Sequence, residues 1–192
     1  EKMSTREGTV VLLEDFMNEI IKKSEEELKK RKNENKKLAE MIGLGALKFG
    51  ILKVNNEKNV IFDFEEALNF EGETGPYIQY AHARAHSILK KVGNLKKANL
   101  SLLKERGEIE LVKKLGDFSN VVLEATNSLK PSLIANYIYD VAKTFNNFYR
   151  DCQVLNAENK ELMKARLILV KATTQVLKNG LNLLGIEAPE RM

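Results

Sequence analysis

The sequence predicts an all-α helical bundle, and three observations carry that prediction. Apolar residues recur at helical spacing along most of the 192 residues. Only three prolines and eleven glycines interrupt them, and the single β-prone run is too short to found a sheet of consequence. With 43% hydrophobic and 30% charged residues the composition is that of a helix-rich globular chain, neither disordered nor fibrous. The length allows one main core with a small appended element.

Taken in order, Gly8 to Leu13 is the β-prone run, with Thr9, Val10 and Val11 in it. From Glu14, Phe16, Met17, Ile20, Ile21, Ser24 and Leu28 recur at helical spacing to about Lys32. Leu38 to Lys53 is apolar with small residues (Ala39, Gly43, Gly45, Ala46, Gly50), which predicts a second helix with close backbone approach. After a turn at Val54 to Asn59, Asp63 is the expected N-cap of a short helix over Phe64 to Leu68, with Glu66 three residues on. Asn69 to Pro76 holds two glycines and a proline and predicts a loop; Tyr77 to Val92 follows as a helix. Gly93 to Gly107 lacks a clean period until Leu100 and predicts a connector, partly helical. Two shorter helices follow at Glu108 to Leu115 and Asp117 to Leu129. Pro131 suits a first helical turn, and the period then runs from Leu133 to Tyr149. The last helix is expected from about Glu158 to Leu184, with Gly185 as its stop and Pro189 beyond.

No apolar run approaches the roughly 18 residues that a membrane span requires. The N-terminal stretch carries Glu, Arg and Asp where a signal peptide would be apolar. Cys152, the only cysteine, forms no internal disulfide and suits a reducing compartment, so the cytoplasm is expected. The net charge of +4 permits nucleic-acid binding without demanding it. The lysine runs at Lys22–Lys23, Lys29 to Lys32, Lys36–Lys37, Lys90–Lys91 and Lys96–Lys97 are either phosphate contacts or, as such runs more often are, solvated helix surface. His82 and His86 stand one turn apart but lack further ligands at suitable spacing, so no metal site is expected and both are read as surface or loop-contacting residues.

Two stretches point to chemistry. Lys2, Met3, Ser4, Thr5 and Arg6 read as a mobile phosphate-binding loop, with Lys2 as its leading cation. Because the sequence opens inside that loop, it is expected to be the C-terminal piece of a larger enzyme. Tyr77, Tyr80 and Arg84, at spacings of three and four, share one helical face. Aromatic faces and guanidinium planes are what single-stranded RNA recognition uses. The helix start beside them offers free N–H groups and a dipole for a phosphate. A tyrosine at such a place is otherwise a core aromatic with a satisfied hydroxyl, and Tyr137 and Tyr139 are read as packing residues.

The runs KMSTREGTVVLLED, FDFEEALNFEGETGPYIQYAHARAHSILKK, SLKPSLIANYIYDVAKTFNNFY and LVKATTQVLKNGLNLLGIEAPERM resemble, in order, the C-terminal half of arginyl-tRNA synthetases. The resemblance implies residues 1–62 as the end of a class I catalytic region with its KMSKS-like loop and connecting helices, and 63–192 as a DALR-type anticodon-binding domain. It implies an arginine–tRNA ligase that, at full length, esterifies arginine to its tRNA using ATP with Mg2+. Its partners would be arginine, ATP and the anticodon loop of an arginine tRNA, with no DNA and no membrane; the resemblance also suggests a monomer. The fragment alone is expected to be inactive and to hold no cofactor.

Lys2 and Arg6 are the implied catalytic cations, and Lys2, Met3, Ser4 and Thr5 the implied ATP loop. Thr5 departs from the family pattern, which has a second lysine there, and Arg6 would supply the missing charge. Tyr77, Tyr80, Arg84, Tyr149 and Met192 match anticodon-side positions, and the loop at Asn69 to Gly75 matches another contact. The rival from a different class is a helical protein-interaction module whose last helix docks a partner. That rival leaves the KMSTR start, the Gly-rich loop before Tyr77 and the PERM ending without a role.

Overall fold

The computed structural model describes residues 12–92 and 98–192, which form eight α-helices and one 3-10 turn, with no strand among the described residues. Lys2, Met3, Ser4, Thr5 and Arg6, with most of the β-prone run, lie outside the described residues. Of that run Leu12 is extended, and Leu13 already opens helix α1 (Leu13–Lys30).

Asn35 caps α2 (Lys36–Leu52) by accepting a hydrogen bond from Leu38 N at 3.1 Å. The small residues of α2 do bring backbones together: a Cβ added at Gly43 would lie 3.1 Å from the Ile20 carbonyl oxygen of α1. Asp63 caps α3 (Phe64–Ala67) as its spacing predicted, accepting from Glu66 N at 2.8 Å. Helix α4 (Gly75–Lys90) begins two residues before the predicted start, with Thr74 as its cap. Pro76 is tolerated because the first helical turn needs no N–H there. Gly75 is required because any Cβ on it would lie 2.5 Å from the Gly45 carbonyl oxygen, where α2 and α4 cross.

The connector is partly helical, as expected, with a 3-10 turn at Leu100–Leu102. Then come α5 (Arg106–Gly116), α6 (Phe118–Ser128), α7 (Pro131–Asp151) and α8 (Lys160–Leu183). Helix α7 touches α4, α5, α6 and α8, so its inward stripe of Ile138, Val141, Phe145 and Phe148 is fully buried. Those residues join Ile78, Ala85, Leu111, Leu167, Leu177 and Leu181 in the main core. A smaller core joins α1, α2 and the residues around α3, built from Ile20, Leu28, Ile42 and Leu47. Its wall is an aromatic triad, with ring centroids of Phe16 and Phe64 at 4.7 Å and of Phe16 and Phe62 at 5.0 Å.

One ion pair sits inside the main bundle. Arg166 Nε donates to Glu108 Oε1 at 2.6 Å and its Nη1 to the Gln153 carbonyl at 2.9 Å, while Glu108 Oε2 accepts from Glu105 N at 2.9 Å. Both carboxylate oxygens of Glu108 are thereby engaged, which is the condition on which a buried charge is tolerable.

Beyond α8 the chain turns at Gly185 (φ +66°), in the left-handed region that glycine favours, so the predicted stop is correct. Residues 186–192 then lie as a strap against α2 and α4. Ile186 is buried in the main core, and Lys48 Nζ donates to the Gly185 carbonyl. Gln79 Nε2 donates to both the Glu187 carbonyl (2.9 Å) and the Met41 carbonyl (3.1 Å), tying strap, α4 and α2 at one point.

Candidate nucleic-acid interface

Helices α4 and α7 lie side by side, and the face they share gathers four of the predicted residues, Tyr77, Tyr80, Arg84 and Tyr149. Arg84 is at the centre. Its Nη1 donates to Asn146 Oδ1 at 3.0 Å and its Nη2 to the Tyr80 hydroxyl at 3.2 Å. The guanidinium carbon lies 4.7 Å from the Tyr80 ring centroid and 5.8 Å from that of Tyr149, within cation–π range of both. Asn146 Nδ2 donates to the Tyr77 hydroxyl at 2.9 Å, so one amide links Tyr77 to Arg84. Tyr80 and Tyr149 remain 37% and 38% exposed, which leaves ring surface open to solvent.

Tyr77 is half-buried, with its centroid 5.5 Å from that of Tyr139. Burial first, and then the neighbouring Tyr77, push the Tyr139 phenol up. Tyr149 is steadied from below by Phe145, at a centroid distance of 6.2 Å. Tyr137 packs, as expected: it is buried, its hydroxyl donates to the Lys114 carbonyl at 2.6 Å, and burial raises its pKa.

One expectation needs correction. The start of α4 is not open to a phosphate: Gly75 and Pro76 are buried, Pro76 has no N–H, and Tyr77 N donates to the Thr74 hydroxyl oxygen at 3.2 Å. The loop before it is closed on itself, with Glu71 N donating to Asn69 Oδ1 at 2.8 Å and the Thr74 hydroxyl donating to the Asn69 carbonyl. Of the two readings of His82, surface or loop-contacting, the structure shows the second: it is 1% exposed, its Nδ1–H donating to the Pro189 carbonyl of the strap at 2.9 Å. Burial lowers its pKa, since a second proton on Nε2 would have no partner. Met192 packs against the smaller core, whereas Tyr77 and Tyr139 pack against the main one.

His86 faces Glu190, with Nε2 to Oε2 at 3.6 Å. Among the described residues no group of three or more His, Cys, Asp or Glu could hold a metal ion, and no helix is long and apolar enough to cross a membrane. The lysines at 29, 30, 36, 37 and 90 are exposed, as a solvated surface would have them.

Asn146 was missed by sequence reasoning. Its one signal is an amide a single turn before Tyr149, but Asn136 and Asn147 are amides on the same amphipathic helix, so only the pairing of α4 with α7 singles it out.

With the geometry established, comparison with known proteins is specific. Residues 78–192 match the DALR anticodon binding domain, and residues 1–64 match the catalytic domain of class I (R) tRNA synthetases. The chain is similar to the arginine–tRNA ligase of Clostridium botulinum (strain Alaska E43 / Type E3), 46% identical over 195 residues, covering all of this chain and 35% of the relative. That of Clostridium kluyveri is 46% identical over 199 residues, with the same coverage. Among solved structures, the arginyl-tRNA synthetase of Thermus thermophilus superposes with a TM-score of 0.92 at 37% identity, covering 100% of this chain and 33% of the other. That of Plasmodium falciparum gives 0.82 at 28% identity, covering 95% and 34%. The chain therefore spans about a third of the length of the relatives it matches.

Proposed function

We propose that this chain, which belongs to the DALR anticodon binding domain family, is the part of an arginine–tRNA ligase that holds the anticodon loop of an arginine tRNA. The observation that carries the proposal is the Tyr80–Arg84–Tyr149 stack. Three flat side chains stand together on a face that is otherwise polar, with two of the rings partly exposed. Unstacked bases of a single-stranded loop bind to such faces. Exposed tyrosines and arginines also anchor protein interfaces, and the match of residues 78–192 to the DALR anticodon binding domain is what favours RNA over a protein partner.

Tyr77, Tyr80, Arg84 and Tyr149 would form the reading face. Met192 would act at its own edge of the molecule, on RNA that extends beyond the tyrosines. Residues 1–62 would be the end of the catalytic region and 63–192 the anticodon-binding domain. In the full-length protein, Lys2, Met3, Ser4, Thr5 and Arg6 would meet the phosphates of ATP with its Mg2+, cation and hydroxyl donors being suited to that charge. The protein would work in the cytoplasm as a monomer. Binding the anticodon end far from the chemistry orients the acceptor end for reaction.

The test is the affinity of the chain for an arginine tRNA transcript and for the same transcript with its anticodon replaced, at two salt concentrations. Tighter binding to the genuine anticodon, weakened by Arg84→Ala, supports the proposal. Equal and salt-labile binding to both would overturn it. The chain supplied with ATP, arginine and tRNA is expected to give no arginyl-tRNA.

A further inference from the structure

We propose that Asn146 is a positioning residue for anticodon reading, the clamp that turns Arg84 from a mobile donor into a fixed layer of the aromatic stack. This rests on the function proposed above and adds a residue on a different helix to the reading face.

A free arginine on a helix surface samples many rotamers, and ordering it on RNA binding would cost entropy. Arg84 is already ordered. Its Nη1 is held by Asn146 Oδ1 at 3.0 Å and its Nη2 by the Tyr80 hydroxyl at 3.2 Å, while Tyr80 and Tyr149 lie within cation–π range of the guanidinium. Asn146 suits this place because its planar amide carries an acceptor and a donor at once. The acceptor takes Arg84, and the donor takes the Tyr77 hydroxyl at 2.9 Å, which is itself packed against Tyr139.

The amide thus spans positions 62 and 69 residues away in sequence, on the neighbouring helix. Remove it, and two hydroxyl- or guanidinium-bearing side chains lose a shared partner. Tyr80 and Tyr149 then lose the fixed cation between them. The RNA would meet separate mobile groups where it now meets a prearranged surface. The consequence falls on discrimination between loops, not on general attraction to phosphate, because Asn146 carries no charge.

The test compares wild type, Asn146→Ala and Asn146→Asp for binding to the arginine tRNA transcript and to its anticodon-replaced form, across a salt series. Asn146→Ala is expected to cut the preference for the genuine anticodon about tenfold, the effect of losing two hydrogen bonds. The slope of affinity against salt should stay unchanged, since no phosphate contact is touched. Asn146→Asp should keep the preference within about twofold, because a carboxylate still accepts from Arg84 and can also accept from the Tyr77 hydroxyl. If Asn146→Ala does not yield folded protein, Asn146→Ser serves, since its hydroxyl is too short to reach both partners.

Wild-type discrimination by Asn146→Ala would overturn the inference. So would a loss equal for both transcripts, which marks a merely structural role. No preference in the wild type itself would overturn the anticodon-reading function and this inference with it, and the wild-type arm alone reveals that case.

Discussion

The face of α4 that carries Gly75, Gln79 and His82 is sealed, whereas the face that carries Tyr77, Tyr80 and Arg84 is partly open. On the sealed side Gln79 is fully buried and His82 is 1% exposed, each held by carbonyls of distant segments. On the open side Tyr80 is 37% exposed, and its partners are side chains, not backbone. Both faces are polar, so polarity alone does not mark the one proposed to read RNA. What separates them is the kind of partner: fixed backbone carbonyls serve the fold, whereas side-chain clusters with exposed rings leave capacity for a ligand.

Four experiments test this contrast. The largest effect is expected at the helix crossing, where Gly75→Ala forces α2 and α4 apart, because the new Cβ would lie 2.5 Å from the Gly45 carbonyl oxygen. A loss of about 3 kcal/mol is expected in chemical denaturation. Gln79→Ala removes the donor shared by α2 and the strap and is expected to cost about 2 kcal/mol. A variant as stable as wild type would show that the sealed face is not held through that amide.

Tyr80→Ala should behave oppositely. Unfolding free energy should move by less than about 0.5 kcal/mol, while affinity for the arginine tRNA transcript falls about tenfold, as the loss of a stacking platform implies. The smallest effect concerns pH. The lowered pKa of His82 means that the fold favours the neutral ring, so its contribution to stability is complete above the ordinary value of 6.5 and is lost as pH falls from there through the lowered folded-state value. Thermal melts on descending pH should show that loss, and His82→Asn should flatten it.

The helices were legible because their apolar stripes repeat over many turns, and Asp63, Pro131 and Gly185 are punctuation that acts locally. Tyr77, Tyr80 and Arg84 were legible for the same reason, since one helix sets their shared face. The start of α4 was misread because Gly75 and Pro76 break helices in general, yet here the crossing with Gly45 requires the one and the first turn accepts the other. The burial of His82 was not legible because what buries it is a strap more than a hundred residues later, 107 in sequence from His82 to Pro189. Asn146 and the Glu108–Arg166 pair were invisible for the same physical cause: their meaning lies in which helices become neighbours, and no local pattern states that. The phosphate-binding loop at Lys2 to Arg6 lies outside the described residues, so the structure leaves its reading where the sequence put it.

The strap has a consequence for how the molecule folds. Its hydrogen bonds join residues 137, 108 and 107 apart in sequence, through Lys48, Gln79 and His82. Closing loops of that size costs entropy that only an already collapsed bundle can offset. The strap has no regular structure of its own and docks on α2 and α4, so its bonds are expected to form after those helices have packed. Weakening them should leave the refolding rate nearly unchanged and quicken unfolding instead. In hydrogen exchange, the backbone amides of the strap should open well before those of α7.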